Sequence, residues 1–170
     1  METHKLSPGK FSINYGLTLG IILIIISAIL YFTGMQLEGK QWPMYLYYII
    51  FPVIIIYTIS QYKKSNAYSL SLSDAIKVGV ITAIISALVF GVYNLIFNYV
   101  IDPDFTDKMM EVTREKLLEN PKMTEEMVDK SIEIGKKFAN PFLATTIWIA
   151  LSAVFGLIYS LIGGLSMKTE

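Results

Sequence analysis

Four apolar stretches without a single Asp, Glu, Lys or Arg, at about 13–34, 43–61, 78–101 and 142–166, constrain this chain more than any other feature. At 1.5 Å rise per residue, each is long enough as a helix to cross a hydrocarbon core of about 30 Å. A charge at the centre of such a span costs about 3 kcal/mol to insert, so the missing charges are themselves a signature of lipid. The mean hydropathy of +0.52 and the 54% hydrophobic content agree, being high for a water-soluble chain of 170 residues. The expected fold class is therefore all-α: a polytopic membrane protein, with residues 1–170 forming one membrane domain of four transmembrane helices.

The first span follows Lys5 and Lys10, as a signal sequence would. Its apolar run is longer than a usual cleavable core, and Tyr31 to Met35 is a poor small-residue cleavage site, so it is expected to remain as an anchor. Lys5, Lys10, Lys63, Lys64, Lys77 and Lys168 fall on one side of the predicted bilayer, against Lys40 in the first connection. By the positive-inside rule both termini are expected in the cytoplasm, with the chain multi-pass in a cell membrane. Trp42, Tyr45, Tyr47 and Tyr48 gather at the predicted outer boundary, and Phe11, Tyr15, Tyr62 and Tyr68 at the inner one. All eight are expected to act as interfacial anchors.

One segment, 102–140, is built for water. It holds ten acids and seven bases, more than half of all the charge in the chain. Pro103, Pro121 and Pro141 punctuate it, which predicts two helices at about 105–119 and 124–139, an amphipathic hairpin between the third and fourth spans. Asp104 and Asp107 are expected to cap the first of these helices. On the second, Met123, Met127, Ile134 and Phe138 share a face, with Val128 and Ile132 beside it. That face is the candidate contact surface, for lipid or for a protein partner. The cluster Asp102, Asp104 and Asp107 lacks the glycine and closing glutamate of an EF-hand loop, so no metal site is expected there.

Within the spans, small residues recur every fourth position. The candidate helix-packing residues are Gly16 and Gly20 in the first span, Gly79, Ala83, Ala87 and Gly91 in the third, and Ser152, Gly156, Ser160 and Gly164 in the fourth. Such ribs let backbones approach in lipid, where burying apolar side chains gives no net drive. A spacing of four winds slowly around a helix, so one straight partner is not expected to touch all of the third span's strip. A compact four-helix bundle follows, with a surplus strip available to a homodimer. Pro52 removes an amide donor from the second span and is expected to bend it. Asn94 lies on the small-residue face of the third span and Asn98 follows one turn later, so the pair can bond across helices or line a polar pocket near the outer mouth. At the opposite end of that span, Ser73 or Asp74 is expected to supply the N-cap.

Composition excludes several chemistries. Fourteen basic and fourteen acidic residues cancel, so the basic field of a nucleic-acid binder is absent. There is no cysteine, and the one histidine is His4. Ser86, Ser152 and Ser160 have no histidine or intramembrane carboxylate to activate them, so neither an enzyme nor a cofactor is expected.

The order Ser73-Asp74-Ala75-Ile76-Lys77-Val78-Gly79, Tyr93, Tyr99-Val100-Ile101-Asp102-Pro103, a charged helical segment, Pro141 and a glycine-containing last span resembles the bacterial membrane family called domain of unknown function 4199. The likeness covers nearly the whole chain. It implies a multi-pass bacterial membrane protein and carries over no functional residue. The leading expectation is a non-enzymatic structural or interaction protein that uses its hairpin for protein or lipid contact. The other expectation, prompted by Pro52, Asn94 and the ribs, is a small transporter or transporter subunit acting as an oligomer.

Overall fold

A computed structural model describes residues 7–38 and 42–169. His4, Lys5 and Lys40, on which part of the sequence reading rests, lie outside the described residues. Among those described there are six α-helices: α1 (Pro8–Phe32), α2 (Trp42–Ser65), α3 (Leu72–Ile96), α4 (Phe105–Leu118), α5 (Glu125–Phe138) and α6 (Pro141–Met167). α3 runs on into a π-turn, Phe97–Ile101. Four of the helices, with α3 and its π-turn as one, are long and apolar enough to cross a membrane. The protein is an all-helical, multi-pass membrane protein with a helical hairpin, α4–α5, between the third and fourth spans.

Start signals explain the helix boundaries. Pro8 and Pro141 occupy first-turn positions, where a missing amide costs nothing. Asn140 Oδ1 accepts from the amides of Phe142 and Leu143, and Thr124 Oγ1 accepts from Met127. Two expected caps are corrected. α3 begins six residues before the apolar run, capped by Ser71 Oγ, which accepts from the Asp74 amide at 3.1 Å; Ser73 and Asp74 are already inside the first turn. Asp104 sits at the N-cap of α4 without a side-chain cap bond, because its backbone is already helical there. α2 continues as a helix through Pro52.

α3 is the centre of the bundle, packed most extensively against α6 and α1 and also touching α2, which in turn meets both α1 and α6. The ribs explain the close approach. A Cβ at Gly16 or Gly20 of α1 would come within 2.7 Å of Ile85 or Val89 on α3. Along a second face of α3, Gly164 meets Ala75, Ser160 meets Gly79, Gly156 meets Ala83, and Gly91 meets Thr145. Contrary to the geometric expectation, a single partner follows the α3 strip from Ala75 to Gly91. From Ala75 to Ala83 the antiparallel α6 strip advances at the same spacing of four, so small faces small, and at Gly91 the α6 residue met is Thr145, seven residues before Ser152. Facing one another inside one chain, these ribs are not free for a second copy. Ala87 and Ser152 are buried within the same series.

Several hydroxyls buried in the spans are satisfied within the protein, as lipid requires. Thr58, Thr82, Ser86 and Ser160 donate to carbonyls of their own helices, and Ser12 Oγ also reaches across to the Val78 carbonyl of α3 at 3.0 Å. The remaining core is apolar, centred on Leu19, Leu23, Phe51, Ile55, Ile59 and Val78. Three expected anchors belong to this interior: Tyr62 is fully buried, Phe11 packs edge-on to it at 5.4 Å, and Tyr47 packs near Phe90. Their helical phase turns them inward, which the character of an aromatic ring does not reveal. Trp42, Tyr45 and Tyr48 remain exposed.

Candidate functional site: the hairpin end of the bundle

Both connections that could reshape the bundle meet at one end, the one carrying the α1–α2 turn and the α4–α5 hairpin. α1 stops at Thr33, and Gly34 then takes φ +71°, a left-handed conformation that suits glycine. That reversal folds Gln36 back on α1, where its Nε2 donates to the Ser27 carbonyl at 3.2 Å. On the other side, the π-turn closes with Asp102 N donating to Phe97 O at 2.9 Å. A π-turn widens one turn of the helix and re-aims the side chains beyond it.

The hairpin is fastened to this end by two sets of contacts. Phe97, Phe105 and Tyr31 form an edge-on aromatic triad, with centroids 4.9–5.8 Å apart, joining the π-turn, α4 and α1. Above it, Tyr31 Oη donates to Asp102 Oδ2 at 3.0 Å and Lys108 Nζ donates to Asp102 Oδ1 at 2.9 Å. The Lys108 ammonium holds the Asp102 carboxyl below the ordinary carboxylate range, with the Tyr31 hydroxyl adding to the effect against partial desolvation. A depressed carboxyl supports the folded state above its unfolded pKa of about 3.9, and that support is lost as pH falls through the lower folded value. The hairpin should therefore keep its protease resistance from neutral pH down to about 4 and loosen below it. Asp102→Asn should flatten that acid step while leaving an acceptor for Tyr31, as digestion at Arg114 across a pH series would show.

Beneath α4 lies a cavity of about 360 Å³. Tyr47, Phe90, Tyr93, Phe97 and Phe105 give it aromatic walls, Met109 and Met110 lie on its α4 side, and Ala144 comes from α6. Its polar groups are Ser27, Gln36, Asn94, Asn98 and Thr106 with the hydroxyls of Tyr47 and Tyr93, and among the described residues no Asp, Glu, Lys or Arg lines it. The two asparagines do both things that their positions allowed. Asn94 Nδ2 donates to Thr145 Oγ1 of α6 at 3.0 Å, Asn98 Nδ2 donates to the Asn94 carbonyl and Oδ1, and Thr106 Oγ1 of α4 donates to Asn98 Oδ1 at 3.1 Å. A polar chain thus runs from α6 through α3 into the hairpin, along one wall of the cavity. Tyr31, Gln36, Thr106 and Thr145 had no expected role at a site from sequence, and Tyr47 was expected only as an interfacial anchor. Nothing local marks them, since the fold gathers them from four different elements.

The candidate contact surface divides. Val128, fully buried, and Gly135, within reach of Met110, face α4, and the hairpin is further tied by Arg114–Asp129 at 2.9 Å and Lys136–Asp107 at 3.6 Å. Met123 is half-buried. Met127, Ile134 and Phe138 point away, exposed at 49%, 51% and 60%, and at 3.6 residues per turn they share one narrow strip. Four residues after Phe138, Phe142 is 67% exposed in the first turn of α6. Asp102 pairs with Lys108 and Asp107 with Lys136, and no group of three or more His, Cys, Asp or Glu among the described residues could hold a metal.

A family model described as "Protein of unknown function (DUF4199)" matches residues 14–169. No curated protein and no solved structure matches the chain.

Proposed function

Because the chain belongs to the DUF4199 family of unknown function, matched over residues 14–169, its activity has to be argued from its own surfaces, and we propose that it is a non-enzymatic lipid-contact protein whose hairpin lies on the bilayer. The observation that carries this reading is the apolar strip of Met127, Ile134 and Phe138, left open by α5 although Val128 of the same helix is fully buried against α4. Lipid is the occupant that fits, because only four positions along the chain separate Phe138 from the exposed Phe142, in the first turn of a helix long and apolar enough to span a membrane. The hairpin carries more acids than bases, and Lys137 is already paired with Glu133 at 3.0 Å and Lys136 with Asp107. Its hold on the membrane is therefore apolar insertion and not charge attraction, with the Lys130 stem free to lie along the boundary. By the positive-inside rule the surface it touches is the outer face of the cytoplasmic membrane, with both termini inside. The transport reading has less support: a route across the bundle would have to pass Leu19, Leu23, Ile55 and Ile59, which fill the core.

Ile134→Glu combined with Phe138→Glu tests the proposal. In bilayers the double variant should expose the hairpin to protease; cleavage at the wild-type rate would overturn it.

A further inference from the structure

We propose that the cavity beneath α4 is a binding site for a neutral amphiphile, with an uncharged hydrogen-bonding head at the Asn94–Gln36 side and an apolar body along the aromatic wall. Its volume of about 360 Å³ lies in the range of small-molecule sites, and its make-up has the expected form, apolar walls with a few convergent polar groups.

The hydrogen-bond inventory selects the head. Asn94 commits its amide nitrogen to Thr145 through one of two hydrogens, Asn98 spends its amide on Asn94, and Gln36 donates to Ser27 while its side-chain carbonyl has no donor among the described residues. A hydrogen of the Asn94 amide and the Gln36 carbonyl are thus left to a guest, beside the hydroxyls of Tyr47 and Tyr93 on the same lining, and a hydroxyl or a secondary amide can meet such a donor and acceptor together. A charged head is selected against: among the described residues no ionised side chain lines the cavity, so a carboxylate or ammonium would find none of them to pair with. The body is selected by Phe90, Tyr93, Phe97 and Phe105, together with Met109 and Met110, whose flexible thioethers adapt to an apolar guest. One further donor stands nearby. Trp148 Nε1 is buried without a partner, its ring packs on Phe90 at 5.9 Å, and it lies one turn beyond Ala144 in α6.

Such a guest could come from the bilayer, as a glyceride with a free hydroxyl, or from water, as a small polyol. Native mass spectrometry of the full chain, released from detergent after incubation with 1-monooleoylglycerol, sodium oleate or glycerol, separates these sources. Monooleoylglycerol should be retained as a one-to-one adduct, with oleate and glycerol bound at least about tenfold less. Ala144→Phe, which fills the cavity from α6, and Met109→Trp, which fills it from α4, should each lower monooleoylglycerol occupancy at least about tenfold, whereas Phe142→Ala on the lipid-facing surface should leave it unchanged. Equal retention of oleate, retention of glycerol alone, no adduct at all, or full occupancy in both filled variants would each overturn the proposal.

Discussion

Gly156→Leu should destabilise the bundle by about 3 kcal/mol or more, the largest loss expected from any single substitution outside the hairpin. A Cβ alone at this position would stand 2.6 Å from Ala83 Cβ, with the backbone of Val80 and Gly79 next in line. Nothing flexible is available to yield, so α3 and α6 must separate and lose dispersion contacts along the whole rib, where lipid supplies no compensating hydrophobic drive. Gly79 offers the sharper form of the test. A Cβ there would overlap Ser160 Oγ and press on Ile55, so Gly79→Ala should be destabilising in the wild type. With Ser160→Gly in the same chain, much of the loss should return. Denaturant unfolding in detergent for the two single variants and the double gives the coupling, and additive losses would show that the two strips do not bear on each other.

Where the sequence was legible, the reason is local chemistry. The hairpin helices end within a residue or so of the positions predicted from Pro103, Pro121 and Pro141, because a proline restricts the residue before it wherever it stands. The rib glycines are legible for a similar reason, since a spacing of four defines a face. Rotation and gathering are not legible. Tyr47 and Tyr62 read as anchors because the sequence shows an amphipathic ring near a boundary but not the phase that turns it inward. The start of α3 was placed late because Asp74 and Lys77 mark the end of the apolar run, while the helix itself begins at the Ser71 cap. Asp102 was overshadowed by Asp104 and Asp107, which look like capping residues. Its actual partners, Tyr31 and Lys108, are set by the π-turn and by the packing of α1 against α4.

In the Ile134→Glu and Phe138→Glu double variant, release of the hairpin's outer face should be nearly complete. Burying an exposed Ile or Phe side chain contributes roughly 1.5–3 kcal/mol when the burial is full, and these two are about half exposed, so their insertion contributes about 2 kcal/mol together. Two carboxylates in the same place add a desolvation cost that keeps the strip in water. The latch at Asp102 and the aromatic triad are untouched, so the spans and the inner edge of α4 should remain folded. Trypsin in bilayer nanodiscs should therefore cut at Lys130 and Lys137 well above the wild-type rate, with the membrane-spanning fragments intact. Because the contact is apolar, 1 M salt should not reproduce this release in the wild type.

The depth of Ile134 decides the central claim. The chain has no cysteine, so Ile134→Cys and Asp129→Cys each give a single labelling site on α5, one on the open apolar strip and one off it. In bilayer nanodiscs, a membrane-impermeant maleimide should modify position 129 rapidly and position 134 at least about tenfold more slowly, and detergent should bring the two rates together. Equal rates in the bilayer would place the strip in water and contradict the account.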